Sequence, residues 1–296
     1  MTLSLLAHAI IKYYPKLPSL RFNPLSSRLK WRDLIPKRGV EEILRLRFTS
    51  LRMIKRVYNE EMNKKLFLLL GAVFFFMQFV FFSYLVHKEV FKGIDFNTTV
   101  RFQDKISHRF DEVFSVLSEV GKFEVSLIVL IVIFVISRKV LAGVIGLGLF
   151  AGFHLIELYG KFFVDHLPPP EFLLRTKHMV DFPQFHIRSE NSYPSGHAGR
   201  TIFISAILII LIWQSKRLSM NMKIILVSIV LIYDAAMLIS RVYLGEHWLS
   251  DVIGGTILGL SFGLLTGVFL TEKGNHAKLF SGFKLPKFTI EIKKVE

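Results

Sequence analysis

Residues 66–86 read LFLLLGAVFFFMQFVFFSYLV, a run that contains no charged side chain. A helix of about 20 apolar residues crosses the hydrocarbon core of a bilayer, and in lipid the chain must satisfy its backbone hydrogen bonds internally. This run therefore predicts a membrane-spanning helix at Leu66–Val86. Five further apolar stretches follow in the sequence: Val125–Ser137, which can be extended from Phe114, then Val140–Val164, Ala198–Trp213, Ile224–Ile239 and Val252–Leu270. The predicted fold class is an all-α, polytopic membrane bundle of six helices.

The composition supports this class and argues against nucleic-acid binding. The chain is 52% hydrophobic, yet it carries a formal net charge of +15. A nucleic-acid-binding protein needs a basic face on a soluble fold, and the long apolar runs leave little room for one. The chain has no cysteine, which excludes a disulfide framework and a thiolate metal site or nucleophile. We therefore expect a membrane protein with basic cytoplasmic segments and no nucleic-acid partner.

The positions of Lys and Arg predict the orientation of the spans, because cytoplasmic loops carry an excess of both. These residues are concentrated in residues 1–65, the Arg138-Lys139 turn, the 214–223 loop and the C-terminal tail. The two short loops carry the most weight, since long segments count for less in this rule. Both loops predict cytoplasmic N- and C-termini. The remaining loops then lie on the outer face, which is periplasmic, extracellular or luminal.

The chain divides into three predicted parts: residues 1–64, a basic N-terminal segment; residues 65–272, the six-span domain; and residues 273–296, a basic C-terminal tail. In the first part, apolar residues recur at spacings of 4, 3, 3 and 4 with Arg and Lys between them: Leu44, Phe48, Leu51, Ile54 and Tyr58. This pattern predicts a basic amphipathic helix suited to an anionic membrane leaflet. The alternative is a helix packed on the bundle or on a partner chain.

Two features inside the spans predict packing rather than chemistry. Gly255, Gly259, Gly263 and Gly267 stand four apart in the sixth span. A ridge of this kind lets another helix approach closely. Asp234 lies well inside the fifth span, where a carboxylate is costly unless it has a partner. We expect Asp234 to form a hydrogen bond to a neighbouring helix.

Polar residues at the outer ends of the spans gather at three places. The first is Lys161, which leads into Asp165–Pro170. The second is Tyr193–His197, which opens the fourth span, and the third is Ser240–Asp251, between the fifth and sixth spans. Because polar and ionisable groups in a membrane protein are expensive unless they are used, these three places form the candidate functional site.

The third place contains a pair of residues typical of an activated nucleophile. His247 and Asp251 stand four apart, so on a helix they share a face. A carboxylate there can accept the ring N–H of His247 and leave the other ring nitrogen with a free lone pair. Arg241, in the same stretch, supplies a planar set of donors for phosphate oxygens.

The second place supplies an anion site and a proton. Ser195 and Gly196 sit where a helix begins, so their N–H groups and the helix dipole favour an anion. His197, beside them, can protonate a leaving oxygen.

These motifs resemble those of the type 2 phosphatidic acid phosphatase superfamily, whose pattern is Lys-x6-Arg-Pro, then Pro-Ser-Gly-His, then Ser-Arg-x5-His-x3-Asp. The second motif matches at Pro194–His197 and the third at Ser240–Asp251, within a resemblance that covers about residues 65–272. The resemblance implies that His247 attacks phosphorus and becomes phosphohistidine, that Asp251 orients it, and that His197 protonates the leaving group. It implies that the phosphoryl oxygens are held by Lys161, Ser195, Gly196 and Arg241. It implies no metal and no cofactor.

One position departs from the family pattern. Pro168 stands where the first motif has Arg, and Pro169 then matches its Pro. A lost charge-assisted bond is worth about 1.5–3 kcal/mol, which matters in a phosphoryl-transfer site. We expect Arg175 to bend back and bind phosphate in its place, with Arg188 as the second candidate. The departure leaves open that this member is slow, specialised or inactive.

Several residues have plainer interpretations. Lys161 can simply extend to the membrane interface, and Glu157, four residues before it, can tether or neutralise it. Three histidines lie in the long loop after the third span, and for each a plain loop role is favoured: His166, His178 and His186. Asn97-Thr98-Thr99 matches a glycosylation sequon, which has meaning only in a eukaryotic secretory route.

The resemblance implies an integral membrane, metal-independent phosphatase that acts on a membrane lipid phosphate or diphosphate. The first candidates are undecaprenyl (polyprenyl) diphosphate and a phospholipid phosphate, on family analogy alone. Two alternatives stay open: a lipid phosphotransferase that uses a lipid acceptor, and a catalytically degenerate protein that binds lipid phosphates. Vanadate-dependent haloperoxidases share the family fold, but they are soluble, and six spans argue against them. The oligomeric state is open, a homo-oligomer included.

Overall fold

The computed structural model describes residues 37–176 and 190–271, with side chains from residue 59 onward. Within these ranges the chain is all-helical, as the apolar runs predict. The helices are α1 (Lys37–His87), α2 (Lys92–Lys105), α3 (Phe110–Val120), α4 (Phe123–Ser137), α5 (Val140–Phe163), α6 (Gly196–Gln214), α7 (Met220–Tyr243) and α8 (Leu249–Leu270), with one 3₁₀ turn at Glu171–Leu173.

Five of the described helices contain stretches long and apolar enough to cross a membrane: Asn59–His87 within α1, and all of α5, α6, α7 and α8. A sixth span forms if α3 and α4, which meet at an angle of 57°, are counted as one broken span. The stretch from Phe114 thus extends the predicted second span, but through a bend between two helices. The chain bends at Gly121, where a Cβ atom would come within 2.8 Å of the His197 ring, and Lys122 is extended.

α1 continues without interruption through the predicted boundary at residues 64 and 65. The side chains of the predicted amphipathic face, residues 44–58, lie outside the described side chains. So do residues 1–36 and the tail after residue 271. The division into three parts and the membrane-surface role of the first part therefore stay predictions.

α6 and α8 form the centre of the described bundle. In the most apolar stretch of each helix, 56% of the residues of α6 and 50% of those of α8 are buried, against 11% in α1 and in α7. Many large apolar side chains of α1 point outward; Phe67, for example, is 76% exposed. Contiguous apolar surface of this extent would be unfavourable in water, but it suits contact with lipid chains.

The glycine ridge of α8 packs against α6, which confirms the predicted close approach. Cβ atoms built on Gly255 and Gly259 would each lie 2.2 Å from a backbone carbonyl oxygen, that of Ser195 and that of Gly199. Only glycine allows the two backbones to come this close. The expected partner of Asp234 is also present, since the Ser205 hydroxyl of α6 donates to Asp234 of α7 at 2.6 Å.

Candidate active site

The second and third motifs meet where α6 begins, α7 ends and α8 begins. Backbone contact joins them directly, because the Ser195 N–H donates to the Asp251 carbonyl at 3.0 Å. The peptide bond between Tyr193 and Pro194 is cis. Tyr193 is fully buried, and its ring stacks on Phe79 at a centroid distance of 6.1 Å. The start of α6 is thus fixed against α1 and α8 together.

His247 and Asp251 form the predicted pair, with His247 Nδ1 at 3.4 Å from Asp251 Oδ2. The reason differs from the prediction, because His247 lies in the bend before α8 rather than on a helical face shared with Asp251. Asp251 instead caps its own helix, since the Trp248 N–H donates to Oδ2 at 3.0 Å. The bend itself needs Gly245, whose φ is +69° and whose Cβ would lie 2.2 Å from the Leu173 carbonyl oxygen. His247 Nε2 remains available for chemistry at its free lone pair.

The other oxygen of Asp251 is bound by a residue for which we favoured a plain loop role. His166 Nδ1 lies 2.8 Å from Asp251 Oδ1, and His166 Nε2 lies 3.7 Å from Asp95 Oδ2. Burial alone would lower the pKa of His166, but the hydrogen bonds and charges of Asp251 and Asp95 outweigh it and raise the pKa to about 9. The plain loop role is therefore wrong for His166. The available signal was its position inside the first motif, between Lys161 and Pro168.

Asp95 is a further residue that we did not single out from the sequence. It is 2% exposed and lies on α2. Its carboxylate accepts hydrogen bonds from the N–H and the hydroxyl of Ser250, at 2.8 and 2.7 Å. Asp95 thus holds the first turn of α8 from one side while it faces His166 on the other.

Arg241 is fully buried and already has partners. Its Nη1 donates to the Ser118 hydroxyl of α3 at 2.7 Å and forms a short ion pair with Glu246. Glu246 also accepts a hydrogen bond from the Thr176 hydroxyl at 2.6 Å. Neither Ser118 nor Glu246 stands out in the sequence. Ser118 lies outside the motifs, and Glu246 occupies one of the unspecified positions of the third motif.

The start of α6 contains two buried polar atoms without a hydrogen-bond partner in the described part of the chain. They are the Ser195 hydroxyl oxygen and His197 Nε2. The Ser195 N–H is not open to an anion, because it is bound to Asp251, so the hydroxyl is what this residue offers. A buried polar atom without a partner is costly, so these two atoms are candidates to contact a bound substrate.

A carboxylate lies against the first residue of α6. A Cβ atom on Gly196 would come within 2.1 Å of Glu157 Oε1, so only glycine fits there. Glu157 pairs with His154 Nδ1 at 2.9 Å and with Arg200 Nη1 at 3.5 Å. In the described residues it forms no ion pair with Lys161, contrary to one interpretation of their spacing.

The remaining predicted phosphate-binding residues differ in their surroundings. Lys161 is partly buried and lies near enough to His197 to interact with it electrostatically, as do Arg241, Arg200 and His247. Arg175 lies against the third motif: its N–H donates to the Leu244 carbonyl at 2.9 Å, and its guanidinium sits 5.3 Å from the centre of the Tyr243 ring. Its Nη1 donates to the Gln103 carbonyl at 3.1 Å. Pro168 is exposed. The other loop candidates fall in the undescribed stretch 177–189: His178, His186 and Arg188.

A search of the described residues for metal sites finds no group of three or more His, Asp and Glu side chains arranged to hold an ion. The clustered cations and histidines at the ends of α5 to α8 suit an anionic ligand instead. Arginine, lysine and a helix start are the groups that proteins use to bind phosphate.

The fold is that of an all-helical membrane protein with five or six candidate spans, and a comparison with known families agrees with it. Residues 139–274, which contain α5 to α8 and the second and third motifs, match the family model of the PAP2 superfamily. The predicted resemblance is therefore confirmed as a match of residues 139–274 to the PAP2 superfamily model. Comparison with curated proteins gives no match.

Among solved structures, the chain is similar to a transmembrane PAP2-type phosphatidylglycerolphosphate phosphatase from Bacillus subtilis. The two share 23% sequence identity with a TM-score of 0.53, over 71% of this chain and 97% of the Bacillus chain. At this identity the similarity shows a common fold. The common fold agrees with the all-helical bundle described above.

Proposed function

We propose that this protein is an integral membrane phosphatase that hydrolyses a lipid phosphate or diphosphate through a phosphohistidine on His247. The observation that carries the proposal is the contact of His247 Nδ1 with the fully buried Asp251 carboxylate. This contact leaves Nε2 as the nucleophilic nitrogen. The match to the PAP2 superfamily model supports the same reaction class.

In the first step, His247 Nε2 attacks phosphorus and the bond from phosphorus to the leaving oxygen breaks. His197 Nε2 donates a proton to that oxygen, so the alcohol or phosphate leaves in its protonated form. Asp251 stabilises the positive charge that develops on the His247 ring. In the second step, water gives a proton to His197 and attacks the phosphohistidine, which releases phosphate and restores both histidines.

The phosphoryl oxygens need donors, and the site supplies them on several sides. Arg241 and Lys161 lie near enough to His197 to interact with it electrostatically. The buried Ser195 hydroxyl stands two residues before His197, and Gly196 begins the helix beside it. We infer that these groups balance the negative charge of the phosphoryl oxygens, which a metal ion would otherwise have to balance. Because Glu246 is bound to Arg241 in the resting site, an incoming phosphate competes with that carboxylate for the guanidinium.

The position of the site favours a lipid substrate. The site lies at the ends of membrane-spanning helices, where a headgroup can reach His247 while its acyl or prenyl chain stays in the bilayer. The Bacillus protein of the same fold is a phosphatidylglycerolphosphate phosphatase. The substrates to test first are therefore phosphatidylglycerolphosphate, phosphatidic acid and undecaprenyl diphosphate.

The test is phosphate release by the purified full-length protein in detergent, with EDTA present. We expect the wild type to release phosphate and His247→Ala to lose activity by about 1,000-fold or more, as removal of a nucleophile does. His87→Ala is the matched control, because His87 also faces a carboxylate, that of Asp165 at 3.7 Å, but lies outside the motifs. Equal release by the wild type and His247→Ala would refute the role of His247.

A lipid-phosphate-binding protein without turnover is the second candidate. Two observations favour it: Pro168 replaces the motif Arg, and Arg241 is occupied by Glu246. No release from any substrate would support this candidate, and Pro168→Arg is then the variant to assay for a gain of activity. Release that appears only with an added acceptor lipid, as transfer to that lipid, would instead indicate a phosphotransferase.

A further inference from the structure

Asp251 is shared by two imidazole rings, one on each of its oxygens. His166 Nδ1 lies 2.8 Å from Oδ1 and His247 Nδ1 lies 3.4 Å from Oδ2. The Asp251 side chain has no solvent exposure, whereas the two histidine side chains are 11% and 12% exposed. One buried carboxylate therefore faces two groups that can each carry a proton.

His166 is held in place by its own backbone. Its N–H donates to the Asn191 side chain at 3.0 Å, and its carbonyl accepts from the N–H and the hydroxyl of Ser192 at 2.9 and 3.1 Å. The Tyr193 ring stands edge-on to it at 6.5 Å. These contacts tie the loop of the first motif to the segment that precedes α6, so the His166 ring is fixed against Asp251.

The two histidines differ in the negative charge that surrounds them. His166 lies between two carboxylates, Asp251 on α8 and Asp95 on α2, while among the described residues His247 pairs with Asp251. An imidazole that contacts two buried carboxylates binds its second proton more tightly than one that shares a single carboxylate. The raised pKa of His166 agrees with this assignment.

We propose that His166 is a positioning residue that carries the positive charge paired with Asp251, and that it thereby keeps His247 neutral and nucleophilic. The proposal rests on the function proposed above. If His166 is replaced by a neutral residue, His247 becomes the only cation available to the buried carboxylate. It then takes up a second proton more readily, and the protonated ring has no lone pair for attack on phosphorus.

The groups that face His166 from each packed element are few. Asp95 faces it from α2, Asp251 from α8, and Tyr193 from the segment before α6, and Asp165 is its neighbour in the chain. Asp165 is 80% exposed on its side chain and pairs with His87 instead. The titration of His166 is therefore governed by the two buried aspartates.

The first experiment needs no variant and no turnover. Diethyl pyrocarbonate acylates unprotonated imidazole, and mass spectrometry of peptides reports each histidine separately. We expect His247 to be acylated at a lower pH than His166, which should react only as the pH rises toward 9. The two side chains have nearly equal solvent exposure, so exposure by itself does not explain such an order. Acylation of His166 before His247, or of both together at pH 6.5, would overturn the proposal.

The second experiment measures kcat/KM against pH for the wild type, His166→Gln and the control His87→Ala. Loss of a neighbouring charge shifts protonation by about 1–3 pH units, so in His166→Gln the acid limb should move up by at least about one unit. At pH 6 kcat/KM then falls about tenfold or more. A loss equal at every pH would indicate a merely structural role and overturn the proposal, as would an unchanged profile.

A third variant covers the case in which His166→Gln fails to fold. His166→Lys keeps a cation beside Asp251, so we expect its acid limb to stay near that of the wild type. The outcomes also separate the two proposals. Lack of phosphate release by the wild type contradicts the proposed function, while the order of acylation still decides the charge assignment of His166. Release with the wrong acylation order contradicts the role of His166 alone.

Discussion

Arg241 shows how a motif residue depends on side chains outside its motif. Its guanidinium is fully buried and donates to Ser118, which lies 123 positions away in the chain. A buried guanidinium without a partner is strongly destabilising. The ion pair with Glu246 balances the positive charge of Arg241 and so removes this cost. The motif therefore predicts a phosphate-binding cation at Arg241, and side chains outside the motif's fixed positions hold its guanidinium in place.

Arg175 carries the first prediction on a single residue. We expect it to leave Tyr243 and bind a phosphoryl oxygen in place of the missing motif Arg. Arg175→Ala should then lower kcat/KM by about 10- to 100-fold, the equivalent of a charge-assisted bond of about 1.5–3 kcal/mol. Phosphate release from the best lipid substrate is the measurement.

Arg109→Ala is the matched control for Arg175→Ala, because Arg109 is an exposed arginine at the residue just before α3. Its activity should equal that of the wild type. Near-normal turnover by Arg175→Ala would show that the guanidinium stays on the Tyr243 ring, and that the site works with one arginine fewer than the family pattern.

At the level of helices, the break between α3 and α4 shapes the site. Gly121, at the bend, lies against the His197 ring, and its carbonyl accepts from Arg200 Nε at 3.0 Å. A straight helix would satisfy this carbonyl internally and would have a side chain where His197 lies. The bend thus makes room for the proposed general acid.

The contact of α6 with α8 carries a prediction about stability. A Cβ atom on Gly259 would lie 2.2 Å from the Gly199 carbonyl oxygen and 2.9 Å from its carbon, and neither backbone can move aside cheaply. Gly259→Ala should therefore lower the free energy of unfolding by about 1–3 kcal/mol, as overpacking does. Thermal unfolding in detergent measures the change.

Gly148→Ala is the control for this substitution. Gly148 also lies inside a span, but a Cβ atom there meets nothing within 4 Å. Because alanine favours a helix over glycine, Gly148→Ala should leave the Tm unchanged or raise it. An equal loss of Tm in both variants would mean that the α6–α8 contact is not the cause.

For the molecule as a whole, the orientation in the membrane is a prediction that labelling can check. The natural chain has no cysteine, so single-cysteine variants report one position each. Glu171→Cys lies in the exposed loop after α5, and Arg217→Cys lies in the exposed loop between α6 and α7. In sealed cells an impermeant maleimide should label the first and spare the second until the membrane is opened.

The wild type is the blank for this labelling, since it offers no thiol. Labelling of Arg217→Cys in sealed cells, with Glu171→Cys protected, would invert the orientation and place His247 on the cytoplasmic side. The proposed substrate would then have to present its phosphate to the cytoplasm. The result therefore bears on function as well as on topology.

The sequence by itself determined the features that depend on local pattern. The length and apolarity of a run decide whether a helix spans a bilayer, so the spans could be predicted from runs such as residues 66–86. The motif spacing identified the pair of His247 with Asp251, and four glycines at equal spacing indicated the packed face of α8. Each of these needs only residues that are close in the chain.

Only the tertiary structure decided the partners that lie far apart in the chain. Asp251 meets His166 across 85 positions, and Ser250 meets Asp95 across 155. Spacing along a helix predicts neighbours three or four residues away, but it carries no information about which loop closes over a helix end. The bend at Gly121 and the pairing of Glu157 with Arg200 likewise follow from packing between helices. The charges around His247 are therefore a property of the folded bundle, because they come from separate helices and loops that meet only when the chain has folded.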